Sequence, residues 1–379
     1  MKLAITQSNL TLKGGAERIV LKIAQHYKAP IYTAEYDIKS TFKEYEKLDV
    51  RVISKQRLQL PYGRASQGIG YGRAFYGLDL NDEFDVINAH MAPSHWASNR
   101  NKNMVWYCHT PLRDVYDLYH YRMSMRKWYV RPFYAGALGA IRIIDRHMVG
   151  KIGHIIANSS NTQGRISKYY NRPNVPIING GIDVAKYKNR GDEHYFLYPS
   201  RISPNKRQDF AIEAFNLFLK KNKNKNYRLV IFGAVSRDKA FDKYLRDIIA
   251  MAKNCSGKID IIQNGSDEEL IDLYSRCTAV LYPPMNEDFG LVPLEAMASG
   301  KPVVAINEGG PKETVLDNSG FLIKSTNEMA LAMGRLTNLE LANKIGKNGR
   351  NRVVENYSWK IFFRKFDRIV KQAAKGSNK

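Results

Sequence analysis

Residues 279 to 305 read AVLYPPMNEDFGLVPLEAMASGKPVVA, and this stretch decides the fold class. It begins with the apolar run Ala279–Tyr282, continues through a loop into the helix-like segment Leu291–Ser299, and ends in a second apolar run. Strands that are apolar on both faces and separated by a helix are typical of a parallel sheet covered by helices on both sides. The stretch therefore predicts one βαβ unit of an α/β domain.

The same alternation extends outward from this stretch through the whole chain. Between the apolar runs lie segments with helical spacing, such as Ala16–Tyr27, Arg207–Lys220 and Asp267–Arg276. Two such series in one chain predict two Rossmann-like, doubly wound domains. The predicted strands are Leu3–Thr6, Pro30–Thr33, Val50–Ile53, Asp85–Ala89, Met104–Cys108, His154–Ala157, Tyr195–Tyr198, Arg228–Phe232, Lys258–Ile262, Ala279–Tyr282 and Pro302–Ala305.

A Gly-bearing, charged stretch from Asn179 to Glu193 predicts the domain boundary. It places an N-terminal domain at residues 1–182 and a C-terminal domain at residues 183–357. A chain of 379 residues, 44% of them hydrophobic, is long enough for two domains with a full core in each.

Cysteine usage and hydropathy exclude several classes of protein. The three cysteines are far apart, odd in number and form no C-x-x-C pair, which excludes a disulfide scaffold and favours reduced thiols. No apolar run reaches the ~18 residues that a membrane span needs, and the N-terminus lacks a signal-peptide pattern. We expect a cytoplasmic protein.

Positive charge is the unusual feature of the composition. The chain holds 59 Lys and Arg against 36 Asp and Glu, a net charge of +23. Such an excess favours an anionic partner, which nucleic acid, an acidic lipid surface or a phosphorylated substrate would each satisfy. Neither zinc-finger spacing nor an aromatic RNA-binding signature is present, so nucleic acid is not the expected partner.

Basic and aromatic residues are interleaved in residues 116–151. This pattern fits docking at an anionic membrane surface, on the cytoplasmic face. A pair of helices packed on the core, with a solvated basic face, would give the same sequence pattern. The aromatic residues are Tyr119, Tyr121, Trp128, Tyr129, Phe133 and Tyr134, the basic ones include Arg122, Arg126, Lys127, Arg131, Arg142, Arg146 and Lys151, and a second basic stretch holds Arg51, Lys55, Arg57, Arg64 and Arg73.

Two loops that follow predicted strands offer groups for an anion. Gly14 and Gly15 open a helix directly after the first strand, where glycine lets a ligand approach the backbone and the helix N-terminus offers free N–H groups. Arg201 and Lys206 follow the strand Tyr195–Tyr198, and ligands of open α/β sheets bind outside the carboxyl ends of strands. A planar guanidinium and a mobile ammonium suit a phosphate. A tight turn and two surface cations are the alternatives.

Two carboxylates lie eight residues apart in the opening stretch. Glu287 is expected in the loop before a helix and Glu295 in the early turns of that helix, so they would accept hydrogen bonds from different hydroxyls of an elongated polyol. The free N–H groups of Phe289–Leu291 remain for sugar hydroxyls or phosphate. An exposed loop acid and an acid that the helix dipole favours are the alternatives.

With these motifs in place, nearly the whole chain resembles the family 4 glycosyltransferases of the two-domain GT-B fold. The segment Tyr107–Asp114 with Asp117 is similar to a subgroup rich in prokaryotic mannosyltransferases. The matching motifs are Gly14-Gly15-Ala16-Glu17, Ser200-Arg201 with Lys206, Ser266–Leu270, the E-x7-E element Glu287–Glu295, and Gly309-Gly310-Pro311 with Glu313-Thr314.

The resemblance implies a cleft between the two domains, and a C-terminal helix over residues 358–379 that packs back on the first domain. Arg201 and Lys206 would bind the donor diphosphate, Glu287 the donor sugar and Glu295 the ribose, and His109 would lie near the reacting face of the sugar. His90 and His95 are further candidates for the cleft. The remaining implied substrate-binding residues are Gly14, Gly15, Asp117, Ser200, Asn264, Asp288, Phe289, Gly290 and Leu291.

The resemblance also implies a retaining transfer from a nucleotide-diphosphate sugar to a glycan or polyprenyl-linked saccharide. Because no Asp-x-Asp sequence is present, we expect neither a divalent metal nor any other cofactor. The leading prediction is mannose from GDP-mannose. UDP-glucose or UDP-N-acetylglucosamine as donor and a GT-B sugar phosphorylase are the alternatives, and a nucleic-acid-binding protein is a remote one.

Overall fold

The structure is a computed structural model, and it divides the chain into two compact units. The first consists of Met1–Asn179 together with Phe363–Lys379, and the second is Gly180–Phe362. The sequence placed the boundaries after residues 182 and 357. The described residues are 1–54, 64–124, 126–222, 226–235 and 241–376.

The first unit is a six-stranded parallel sheet in the order β3-β2-β1-β4-β5-β6, flanked by helices. Its central strands are buried throughout, which explains their unbroken apolar character. The strands are β1 (Leu3–Gln7), β2 (Ile31–Thr33), β3 (Val50–Val52), β4 (Val86–Ala89), β5 (Met104–Cys108) and β6 (His154–Ala157), and the helices are α1 (Gly15–Tyr27), α2 (Arg64–Tyr76), α3 (Tyr119–Ser124), α4 (Arg131–Gly150) and α5 (Ser160–Tyr170).

The second unit is another six-stranded parallel sheet, in the order β12-β11-β10-β7-β8-β9. Its strands are β7 (Tyr195–Pro199), β8 (Arg228–Gly233), β9 (Ile259–Gln263), β10 (Ala279–Tyr282), β11 (Val303–Ile306) and β12 (Gly320–Ile323). Its helices are α6 (Gln208–Lys221), α7 (Asp242–Lys253), α8 (Asp267–Arg276), α9 (Leu291–Ala298), α10 (Pro311–Thr314), α11 (Thr326–Leu336) and α12 (Leu339–Asn356).

The architecture confirms the predicted fold class of two doubly wound α/β units. The strand β12 was not predicted. It is short, lies at the sheet edge beside β11 alone, begins with Gly320 and is only half-buried in its middle. A strand of this kind lacks the continuous apolar run that reveals the central strands.

Local sequence signals explain where the helices begin. Ser266 caps α8 because its hydroxyl accepts a hydrogen bond from the Glu269 backbone N–H at 3.1 Å, and three acidic residues occupy the first turn. Gly290, with φ of +84°, precedes α9, and Pro293 lies in its first turn, where a missing N–H costs nothing.

The last helix, α13 (Trp359–Lys375), belongs to the first unit from Phe363 onward. There the Tyr27 hydroxyl donates to the Asp367 carboxylate at 2.6 Å, and the Phe363 ring stacks on His26 at 3.9 Å. These contacts hold the end of α13 to the first unit.

Within the part of the chain that is described, no helix combines the length and the apolar character that crossing a bilayer requires.

Candidate active site

Three adjacent strands of the second unit end at the same sheet edge and carry most of the predicted donor-binding residues. β10 pairs in parallel with both β7 and β11. β7 continues into Ser200–Lys206, β10 into the loop that holds Glu287, and β11 into the loop that holds Gly309 and Gly310. Parallel strands present their carboxyl ends together, so segments that are far apart in sequence meet here.

Lys206 and Glu287 are in direct contact at this edge. The Lys206 ammonium donates to the Glu287 carboxylate, and the two side chains retain 12% and 19% exposure. The Tyr198 hydroxyl donates to the Lys206 carbonyl and fixes the backbone below the ammonium. Partial exposure lets two opposite charges pair without the full cost of desolvation.

Arg201 extends from the same loop into solvent. Its backbone carbonyl accepts a hydrogen bond from the Gln208 amide at 2.9 Å, which holds the loop against α6. The guanidinium makes no hydrogen bond or ion pair to any residue that the structure describes. The neighbouring Ser200 pairs its backbone N–H with the Phe232 carbonyl at 2.8 Å, so the loop is anchored to β8 as well.

Two glycines after β11 hold the loop that carries Glu287. The Gly310 N–H donates to the Glu287 carbonyl at 2.8 Å. A Cβ at Gly310 would lie 2.4 Å from the Phe289 backbone, and one at Gly309, where φ is +61°, would lie 2.3 Å from the Glu287 carbonyl oxygen. Only glycine permits this approach, which explains the Gly-Gly pair.

The loop leads directly into the N-terminus of α9. Phe289 and Gly290 are buried, whereas Asp288 and Leu291 are partly exposed. The first N–H groups of a helix have no partner inside it and attract negative charge. The sheet edge thus combines two cations with a helix N-terminus.

Glu295 lies one turn into α9 and is held by a tyrosine. Its carboxylate accepts a hydrogen bond from the Tyr274 hydroxyl at 2.8 Å. Burial and the Glu295 charge raise the pKa of Tyr274 well above its usual value, so this hydroxyl remains a donor. The sequence alone does not reveal this contact, because Tyr274 reads as an ordinary core position of an amphipathic helix.

Asn264, another implied substrate-binding residue, orders the neighbouring backbone. It follows β9 with a positive φ of 56°, and its N–H donates to the Gly233 carbonyl at 3.0 Å. Its side-chain oxygen accepts a hydrogen bond from the Val235 N–H at 3.1 Å. The Asn264 oxygen is therefore engaged in holding the end of β8.

In the first unit, Gly14 caps α1 and Gly15 begins it, as the sequence predicts. A Cβ at Gly14 would lie 2.4 Å from a carboxylate oxygen of Glu17 in the first turn. The absent side chain leaves room for that buried carboxylate beside the helix N-terminus.

His109 follows β5 at the carboxyl edge of the first sheet and keeps 7% exposure. Its Nε2 lies 2.9 Å from Nδ1 of His90, which is fully buried at the end of the neighbouring strand β4. Burial lowers the pKa of His109 to about 3, so the imidazole is neutral at physiological pH.

Asp117 lies after β5 in contact with two arginines. Its carboxylate is 2.9 Å from Arg113 and 3.4 Å from Arg165. One carboxylate oxygen, Oδ1, is buried without a hydrogen-bond partner among the described residues.

His95, a candidate for the cleft, is a core residue instead. It is fully buried, and its Nε2 lies 2.9 Å from the Asp145 carboxylate. Asp145 also accepts hydrogen bonds from Trp96, Tyr116 and Tyr170, which ties α4 to the rest of the unit. The partner stands 50 positions further along the chain, so no local pattern could have revealed it.

Among the residues for which coordinates are described, no three His, Cys, Asp or Glu side chains are grouped so as to hold a metal ion.

Two family models divide the chain between them. The model described as Glycosyltransferase Family 4 matches residues 13–186, and the model described as Glycosyl transferases group 1 matches residues 182–352. Together with the two doubly wound units, these matches show that the chain belongs to the family 4 glycosyltransferases of the GT-B fold. It is a glycosyltransferase.

Similar curated proteins include alpha-1,3/1,6-mannosyltransferases ALG2. The protein of Dictyostelium discoideum is 26% identical over 98% of this chain and 98% of its own length. That of Mus musculus is 28% identical over 92% of this chain and 91% of its own length. The similarity therefore spans both units.

Solved structures share the fold at lower identity. Sucrose-phosphate synthase from Thermosynechococcus elongatus has a TM-score of 0.78 and 18% identity, covering 98% of both chains. HepE of Anabaena, solved in complex with UDP and glucose, has a TM-score of 0.75 and 18% identity, covering 98% of this chain and all of that one.

Proposed function

We propose that the protein transfers mannose from GDP-mannose to a saccharide acceptor, with retention of the anomeric configuration and without a metal ion. The observation that carries the proposal is the grouping of Lys206, Glu287 and Arg201 at the carboxyl ends of adjacent strands, beside the start of α9. The similarity to mannosyltransferases over nearly the whole chain supports the choice of sugar.

The chemistry required at this site is stabilisation of a leaving group. The bond between the anomeric carbon and the donor diphosphate breaks, and a bond from that carbon to the acceptor oxygen forms on the same face. The acceptor proton passes to an oxygen of the departing diphosphate. As negative charge grows on the diphosphate, Arg201, Lys206 and the N–H groups around Phe289–Leu291 stabilise it.

The carboxylates of the second unit bind and position the donor in this proposal. Glu295, held by Tyr274, accepts hydrogen bonds from the ribose hydroxyls. Glu287, paired with Lys206, accepts hydrogen bonds from hydroxyls of the donor sugar. Two fixed cations supply the charge that a divalent ion would otherwise contribute to the leaving group.

A donor panel in excess EDTA tests the proposal. Thermal shift is measured with GDP-mannose, UDP-glucose and UDP-N-acetylglucosamine, and transfer is then measured to a polyprenyl-diphosphate-linked saccharide. We expect the largest shift and EDTA-resistant transfer with GDP-mannose. Stabilisation by UDP-sugars alone would overturn the choice of donor, and release of sugar 1-phosphate from a glycan and phosphate would favour a phosphorylase.

A polyprenyl-linked acceptor would reside at a membrane, and one surface of the first unit has the composition to bind there. Trp128, Phe133 and Ile143 are 80%, 82% and 73% exposed. Between residues 133 and 144 of α4 the exposed positions 133, 136, 137, 140, 143 and 144 are all apolar or glycine and recur at helical spacing. We call Trp128, Phe133 and Ile143, with the basic residues beside them, the α4 surface.

The charges around the α4 surface have one sign. Arg126, Lys127 and Arg131 are exposed. The two acids of residues 116–151 are engaged elsewhere, Asp117 with two arginines and Asp145 in the core. Exposed aromatic and aliphatic side chains beside cations fit the interface of an anionic bilayer. We propose peripheral binding to the cytoplasmic face of a membrane through this surface.

The second basic stretch gives this proposal less support. Lys55 and Arg57 lie outside the described residues. Arg51 pairs with Asp49 at 2.8 Å, so part of its charge is compensated.

Vesicle sedimentation with and without anionic lipid tests membrane binding. We expect binding to anionic vesicles that the double variant Trp128→Ser/Phe133→Ser abolishes. Leu331→Ser, which removes an exposed leucine from α11, is the matched control and should leave binding unchanged. Equal partition of the protein into neutral and anionic vesicles, or into neither, would refute the proposal.

A further inference from the structure

The orientation of the Asn88 amide is fixed by a backbone carbonyl. Asn88 lies on β4, and its Nδ2 is 3.0 Å from the carbonyl oxygen of Val105 on the adjacent strand β5. A carbonyl oxygen only accepts hydrogen bonds, so the amide nitrogen must be the atom that faces it. The Asn88 Oδ1 therefore points the other way, and it lies 2.7 Å from Nε2 of His90.

This contact determines where the proton of His90 resides. An amide oxygen cannot donate, so Nε2 of His90 carries the hydrogen. Burial, and secondarily the neighbouring His109, hold the pKa of His90 well below its usual value, so the ring carries one proton. Its Nδ1 is consequently unprotonated, and the lone pair on this atom accepts a hydrogen bond.

The tautomer of His109 is fixed in turn by His90. Its Nε2 lies 2.9 Å from Nδ1 of His90 and must supply the hydrogen of that contact. Because burial keeps His109 neutral as well, its Nδ1 is left unprotonated. That atom accepts no hydrogen bond from any residue within the described ranges. The nearest aromatic ring, Tyr107, is centred 5.0 Å from His109 and is neutral, since burial raises its pKa.

We propose that Asn88 and His90 are positioning residues that hold His109 as a hydrogen-bond acceptor for a hydroxyl of the donor sugar. The inference rests on the proposed function, and on the place near the reacting face of the donor sugar that the resemblance implies for His109. The chain Asn88–His90–His109 permits one tautomer, with the lone pair of Nδ1 free for the ligand. Without these hydrogen bonds, His109 could carry its proton on Nδ1. The ring would then have no lone pair there to accept a hydrogen bond from a hydroxyl of the sugar.

The tautomer is measured directly by nitrogen NMR on the full-length protein labelled at histidine, without substrate. We expect an unprotonated Nδ1 and a protonated Nε2 for His109, identified by loss of its signals in His109→Gln. In His90→Phe, which keeps a ring but removes the acceptor, part of the His109 population should carry the proton on Nδ1. A protonated Nδ1 in the wild type, or no change in His90→Phe, would overturn the proposal.

Kinetics test whether the tautomer serves sugar recognition. In His90→Phe we expect kcat/KM for the nucleotide sugar to fall about tenfold, as for loss of one neutral hydrogen bond, while the affinity for the free nucleoside diphosphate stays unchanged. His90→Asn, whose amide oxygen can take the place of Nδ1, is the conservative control and should retain most of the activity. Equal losses for sugar donor and free diphosphate, or no loss at all, would refute the positioning role.

A second variant covers the case in which His90→Phe does not fold. Asn88→Leu keeps the branched side-chain shape, removes both amide contacts and frees His90 to take either tautomer, so a smaller change in the same direction is expected in both measurements. Wild-type behaviour in both would contradict the proposal. If no nucleotide sugar supports transfer, the proposed function fails, whereas the NMR result still decides whether the chain fixes the tautomer.

Discussion

The two sheets differ in the groups that they present at their carboxyl edges. In the second unit, Lys206 and Glu287 are charged, paired and partly exposed. The first unit presents buried, neutral groups there: Asn88, His90 and His109, which are linked by one hydrogen bond between each neighbouring pair. Charged groups can stabilise a charge that develops during the reaction, whereas neutral ones can only select the shape and the hydroxyl pattern of a ligand.

The comparison predicts that substitutions at the two edges will affect different kinetic quantities. Changes at the charged edge should lower turnover or nucleotide affinity. Changes in the histidine chain should lower recognition of the sugar and leave nucleotide binding intact.

The largest effect is expected from Lys206→Ala. In the proposed mechanism Lys206 is one of two cations at the leaving diphosphate, so its removal should lower kcat by about 100- to 1,000-fold, as for the loss of one preorganised donor elsewhere. Steady-state kinetics with saturating donor measure this. Lys220→Ala, at the exposed end of α6, is the matched control and should be neutral. If kcat of Lys206→Ala lay within a few-fold of the wild-type value, the proposed difference between the two edges would be wrong.

Glu295→Gln should weaken binding of the nucleoside diphosphate by about 10- to 100-fold, because a hydrogen bond to a charged acceptor contributes ~1.5–3 kcal/mol. Isothermal titration with the diphosphate and its 2′-deoxy analogue measures the change. The deoxy analogue should lose less affinity in the variant than the parent does. Tyr274→Phe, which removes only the hydroxyl that holds Glu295, should show a smaller loss than Glu295→Gln. Equal losses for both nucleotides would show that Glu295 does not contact the ribose.

Gly310→Ala should displace the loop at Glu287, because its Cβ would lie 2.4 Å from the Phe289 backbone. We expect a destabilisation of about 1–3 kcal/mol, measured as a lower Tm, together with weaker donor binding. Gly136→Ala is the control. Apart from the adjoining backbone of α4 itself, no described atom lies within 4 Å of a Cβ there, so alanine should raise the stability of α4 by up to about 1 kcal/mol. An unchanged Tm in Gly310→Ala would contradict the close packing of this loop.

The smallest effect concerns pH. The pKa of His90 and the pKa of His109 are lowered in the folded protein, so each histidine contributes stability that is present above the unfolded pKa of ~6.5 and is lost as pH falls toward the folded value. At pH 5.5 each histidine should lower the free energy of unfolding by about 1 kcal/mol relative to pH 7. The Tm of His90→Phe should therefore fall less between pH 7 and pH 5.5 than that of the wild type. A steeper fall in the variant would mean that His90 is charged in the folded state.

The sequence predicted the segments that form the charged edge, and it did not predict the contacts within the neutral edge. Glu287 and Glu295 stand in one local pattern of a loop followed by a helix. The Gly309-Gly310 pair was recognised from the resemblance, and its close approach to the Glu287 loop follows from the pairing of β10 with β11. Most strands were predicted to within a residue or two, because buried parallel strands are uniformly apolar.

The contacts that were missed depend on the order of the strands or on how the helices pack. His90 meets His109 because β4 and β5 are neighbours, and Asn88 is oriented by the backbone of β5. Asp145 meets His95 only once α4 has packed on the sheet. In the sequence, a polar residue in a buried strand looks the same whether it belongs to a hydrogen-bond chain at a site or makes a hydrogen bond inside the core. Residue type and spacing therefore could not distinguish these two roles.

In the proposed mechanism fixed cations, and no metal ion, stabilise the departing diphosphate. Single-turnover rates with GDP-mannose in excess EDTA, and after addition of Mg²⁺, test this in the wild type and in Arg201→Ala. We expect a wild-type rate that EDTA leaves unchanged, and an Arg201→Ala rate about 100-fold lower that Mg²⁺ does not restore. Loss of wild-type activity in EDTA with recovery in Mg²⁺, or an Arg201→Ala rate equal to that of the wild type, would contradict it.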